Sequence, residues 1–115
     1  MKSALLVLAL VACGPTARDK AISDTYVAIN AARDGYIAYD SKHENDIVSS
    51  AQSKDEAVTK LVDYRLKRTH VLEAFTAAYH ALSAALLVNS DPKSLTTLLQ
   101  AASDLKAAIT ALEKE

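Results

Sequence analysis

The residues with the most obvious capacity for chemistry are three histidines set near carboxylates in a chain of 115 residues. Asp40-x-x-His43 and His70-x-x-Glu73 each place two potential ligands on one helical face, and His80 follows Glu73 by two turns. Such pairs are the raw material of a di-iron bundle, which takes Glu-x-x-His from two helices and a further inward Glu from each of two others. Here one pair is reversed, and the carboxylate of the other is an aspartate. His70 also projects about 180° from the centre of its helix's apolar face, toward water. No His-x-x-x-His or cysteine cluster supplies zinc spacing, and no glycine-rich loop is present to cradle phosphate. Serines are numerous, yet none stands in Gly-x-Ser-x-Gly. The expectation is no catalytic residue, no metal site and no cofactor, with the histidines at the surface or half-buried.

Five tyrosines carry more information. Tyr26, Tyr36, Tyr39, Tyr64 and Tyr79 fall on or beside apolar helical faces. One role is core packing with the hydroxyl reaching the rim. The other is a partner-binding patch, for which Tyr26, Tyr36 and Tyr39 are the candidates, since tyrosine is enriched at interfaces. Asp40, Arg65 and Arg68 also project toward apolar faces, where a lone charge is costly. They predict a structural ion pair, Asp40 with Arg65 or Arg68.

These side chains must be positioned by helices. Two Gly, two Pro, one Phe and no Trp, with abundant Ala, favour helix over sheet. Ile22, Tyr26, Ile29, Ala32, Tyr36, Tyr39 and Ile47 recur in steps of three and four and predict a first helix to about Ala51. Gly35 within it marks either a close neighbour, a slight kink or a tolerated glycine. Ser53 with Glu56 forms a capping-box pattern that would restart a helix after a turn. The second helix should run to about Val88 on a stripe of Ala57, Leu61, Tyr64, Leu72, Phe75, Tyr79, Leu82 and Leu86. Beyond Val71 it is apolar nearly all round, which predicts cover on every side. Asp91 can cap a third helix with Pro92 in its first turn, and Leu95, Leu98, Leu99, Ala102, Leu105, Ile109 and Leu112 form its stripe.

Short turns between three helices imply an all-α, antiparallel three-helix bundle. Antiparallel register about Gln52 or Ser53 sets Asp40 opposite Arg65 and Arg33 opposite Leu72 and Glu73. The rival is one continuous rod through the first two helices, whose seam would bury Arg33, Asp40, Ser50 and Lys54.

The N-terminus decides location. Lys2 is followed by an apolar run, Ala4 to Leu10, and small residues lead to the single cysteine in Leu10-Val11-Ala12-Cys13. The run is too short to span a bilayer, which takes roughly 20 residues, so it reads as an export signal. This stretch resembles the signal and lipobox of bacterial lipoproteins. The resemblance implies a signal peptide over residues 1–12, cleavage before Cys13, and lipidation of Cys13. It also implies a periplasm-facing, lipid-anchored place in the bacterial envelope. Gly14, rather than an aspartate, after the cysteine leans toward the outer membrane. Residues 13–20 then read as the lipidated cysteine and a short polar tether, and residues 21–115 as the bundle domain.

Removing Lys2 with the signal leaves 12 basic against 14 acidic residues, so charge alone offers nothing to nucleic acid. The expected function is a helical binding or tethering module, held at the membrane through acylated Cys13, for another envelope protein. The alternative is a carrier or sensor that binds an apolar ligand or metal between its helices, in a cavity near Phe75 to Leu86.

Overall fold

The computed structural model describes residues 15–87 and 92–114. The signal and lipobox residues 1–13 and the expected cap Asp91 lie outside them. The chain forms three α-helices, α1 (Pro15–Ser50), α2 (Lys54–Ala85) and α3 (Pro92–Glu113), each packed on the other two in an antiparallel bundle. The rod is not formed. Ser49 and Ser50 turn their hydroxyls back onto the carbonyls of Asn45 and Ile47, at 2.8 and 3.4 Å. Ser53 then takes an extended backbone, φ −149° and ψ 163°, and accepts the Glu56 amide at 3.1 Å. The Glu56 carboxylate returns to accept the Gln52 amide at 3.0 Å, one residue before the cap, in a variant of the capping box. Ser53→Ala should therefore cost about 1 kcal/mol, read as a shift in denaturation midpoint at unchanged slope.

A seven-residue repeat runs through all three helices. Ile22, Ile29 and Tyr36 are buried on α1, Tyr64, Val71, Ala78 and Ala85 on α2, and Leu98, Leu105 and Leu112 on α3. A second row at the same spacing completes each seam: Thr25, Ala32 and Tyr39 on α1, Phe75 and Leu82 on α2, Leu95, Ala102 and Ile109 on α3. This is the left-handed packing of coiled coils and bundles. Each buried Leu or Phe contributes about 1.5–3 kcal/mol. Thr25 enters the core because its hydroxyl donates to the Ala21 carbonyl at 2.7 Å.

The structure corrects four expectations. Residues 15–20 are not a tether but the opening turns of α1, because Pro15 falls in the first turn, where its missing N–H loses no bond. Arg33, expected opposite Leu72 and Glu73, is instead exposed, because the second seam row of α1 is Thr25-Ala32-Tyr39; among the described residues its ion pair is with Asp34, at 3.8 Å. The late half of α2 is not covered all round. Ala77, Ala84 and Leu72 face solvent, since two neighbouring helices wrap only part of its circumference. Helix α2 also ends at Ala85 rather than near Val88. At Gly35 an added Cβ would meet nothing within 4 Å, so no close approach requires glycine there.

Candidate functional site

The densest polar constellation lies across the α1–α2 interface. Arg68 Nη1 donates to both oxygens of Asp40, at 2.8 and 2.9 Å, and to Glu44 at 3.1 Å. Tyr64 donates its hydroxyl to Asp40 at 2.9 Å. Arg65 holds Glu44 through two bonds, at 2.9 and 3.1 Å. The Asp40 and Arg68 side chains are each about one-fifth exposed (22 and 23%), whereas Arg65 is 53% exposed. His43 stacks on Tyr39 at 5.4 Å and tilts against Tyr64 at 4.4 Å.

The hydrogen bonds from Arg65 hold the Glu44 carboxyl below its usual pKa against a smaller opposing effect of burial. The stability this pairing supplies is complete above the ordinary glutamate pKa. It is lost as pH falls through the lowered value. Burial first, then the bond to Asp40, pushes the Tyr64 hydroxyl up. Tyr36 is raised by burial and Asp40 while nearby Arg68 pulls it down; its hydroxyl is buried without a well-formed hydrogen bond. These are fixed charges in a closed network. With every oxygen of Asp40 and Glu44 engaged and Tyr64 donating rather than accepting, the network can lock a register but presents no free base.

Two further bonds tie α1 to its neighbours. Tyr79 donates to Asn30 Oδ1 at 2.8 Å. Arg18 Nη2 donates to the Ala85 carbonyl at 3.1 Å and to Ser94 Oγ at 2.7 Å, drawing together the start of α1, the end of α2 and the first turn of α3.

The surface carries apolar concavities. A groove of about 380 Å³ runs between α1 and α3 over Ala28, Ile29, Ala32, Gly35, Leu105 and Ile109. Another, of about 540 Å³, lies at the Arg18 end and is lined by Ile22, Tyr26, Leu82 and Leu86 with Asp19 and Ser23 at its polar side. The interior near Phe75 to Leu86 is filled: Phe75, Ala78, Ala81, Leu82 and Ala85 are buried.

The sequence-derived candidates separate clearly. Asp40 meets Arg68, while Arg65 goes to Glu44, about one turn from the register expected. Tyr26 is 47% exposed and free to meet a partner, but Tyr36 is a core residue with its ring 5.6 Å from Phe75. Tyr39 is half-buried against His43. The tyrosines therefore do not form one patch. His70, Glu73 and His80 are exposed, and among the described residues no three His, Cys, Asp or Glu side chains converge to hold a metal ion. Glu44 and Arg18 were missed. Glu44 was detectable as a second carboxylate one turn from Asp40, facing two arginines three apart. Arg18 was detectable as the residue seven before Thr25.

No protein-family model, curated protein or solved structure matches this chain. No described helix is long and apolar enough to cross a membrane.

Proposed function

We propose that this chain is a lipid-anchored bacterial envelope protein that works by binding another envelope component rather than by catalysis. The observation that carries the reading is the sequence Leu10-Val11-Ala12-Cys13 set two residues before a helix of the bundle. A lipid on Cys13 would hold the bundle directly at the membrane, since only Gly14 intervenes and the two residue steps from Cys13 to Pro15 reach at most about 7 Å. Two or three acyl chains give stable attachment, so position becomes part of function.

The face assigned to the partner is the groove between α1 and α3. Buried Ile29 and Leu105 lie at its base, the small residues Ala28, Ala32 and Gly35 keep its α1 side low, and Ile109 adds apolar surface from α3, which suits a helix laid into it. The test is cross-linking in intact cells followed by a pull-down of the acylated protein from envelope extract. A Gly35→Leu variant should lose the cross-linked partner while keeping its stability, because an added Cβ meets nothing within 4 Å and leucine is the better helix former. Equal recovery of the partner by both proteins would exclude the groove. No specific cross-link from either would exclude the binding function.

A further inference from the structure

The end of the bundle nearest Cys13 carries apolar side chains that the fold does not need at its surface. Leu86 is 62% exposed, Leu87 66% and Tyr26 47%. Leu86 and Tyr26, with Ile22 and Leu82, line one apolar depression formed by the opening turns of α1 and the end of α2, and Leu87 follows Leu86 in the chain. Arg18 fastens this end, bonding the Ala85 carbonyl beside Leu86. Two leucines in succession at a helix end are an unusual expense in water, about 1.5–3 kcal/mol each if they could be covered.

We propose that this end is a second membrane contact, with Leu86 and Leu87 entering the boundary between headgroups and acyl chains and Tyr26 lying at headgroup depth. The occupant of the depression is the lipid surface. The position of Cys13 selects it: the cysteine lies two residues before Pro15, so an acyl group there brings the bilayer to this end and to no other. The inference rests on the lipid-anchor reading. Tyrosine is the side chain suited to the headgroup region, and Asp19 and Ser23 on the polar side of the depression can remain in water. Acyl chains already supply affinity, so the contact sets orientation. It stands the bundle on its Arg18 end and carries the α1–α2 turn away from the membrane, α1 itself being about 54 Å long at 1.5 Å per residue.

The chain contains no tryptophan, which makes single-Trp reporters clean. Full-length protein produced with its signal, purified and reconstituted in phosphatidylethanolamine–phosphatidylglycerol vesicles, would carry Leu86→Trp or, as control, Val62→Trp. Val62 is 54% exposed on the outer face of α2, toward the far end. Mass spectrometry first establishes the acyl groups on Cys13. With the acylated protein, entry into the bilayer should blue-shift Leu86→Trp emission and lipids brominated high on their chains should reduce it about twofold, leaving Val62→Trp unchanged. Acylated protein with no quenching at Leu86→Trp overturns the second contact and leaves the anchor standing. Equal quenching at both positions overturns it too, since the bundle would then lie flat. Unmodified Cys13 removes the anchor reading and this inference together.

Discussion

Replacing Arg68 by methionine is expected to lower stability by about 2–3 kcal/mol, the largest effect of any charged-residue substitution in the bundle. The guanidinium gives Asp40 two of its three hydrogen bonds and sits at a seam position seven residues before Phe75. Methionine fills similar volume, but it leaves a carboxylate about one-fifth exposed with only the Tyr64 hydroxyl. Removing one partner of a part-buried pair costs the desolvation of the other, whereas removing both charges does not. Adding Asp40→Asn, which still accepts from Tyr64, should recover most of the loss. Arg65→Met should cost under about 1 kcal/mol, because that side chain is half-exposed and its pair with Glu44 is bathed in solvent on one side. Denaturation midpoints of the four proteins decide the matter. Equal losses for Arg65→Met and Arg68→Met, or no recovery in the double variant, would mean that the network does not set the register.

The same pair shows how far a sequence carries. Two arginines and an aspartate on apolar faces announce that α1 and α2 must be paired antiparallel, because slipping the register strands the charges. The fold was legible for that reason and because Ser53 and Glu56 interrupt what would otherwise be an uninterrupted helical pattern. Which arginine meets Asp40 was not legible. It depends on whether the second seam row of α1 is Tyr26-Arg33-Asp40 or Thr25-Ala32-Tyr39, a difference of one residue, or 100° of rotation. Tyr26 favours the first row, whereas Ala32 and Tyr39 favour the second. The structure takes the second because threonine can satisfy its hydroxyl against the preceding turn, which lets Arg33 reach water. That rotation also exposes Tyr26 while Tyr36 stays buried, separating residues that shared a face on paper. At the other end, Gly14-Pro15 reads as a break, yet proline in a first helical turn is as good a start as a stop. The direction of that signal came from Arg18, whose bonds to α2 and α3 make the opening turns worth ordering.

The complete effect is expected at Cys13. Lipid attachment in the family that this N-terminus resembles takes place on a cysteine sulfur, and the chain has one cysteine. Cys13→Ser keeps the size of the side chain but removes the thiol, so labelling with radioactive palmitate should fall to background. Because cleavage in that family follows acylation, the variant should persist as a precursor that retains residues 1–12. Membrane fractionation alone would mislead. The apolar run from Ala4 to Cys13 is ten residues, about 15 Å as a helix against a core of about 30 Å. It cannot span the bilayer, but it can delay the precursor at the membrane where export occurs. The decisive readings are therefore label incorporation and intact mass. Wild-type protein should lose residues 1–12 and gain the mass of two or three acyl chains, whereas the serine variant should show neither change. A variant that is still cut and still labelled would show that the sulfur is not the attachment point. A wild-type protein cut elsewhere without label would make the segment an ordinary secretory signal, leaving the bundle with no lipid and no fixed end.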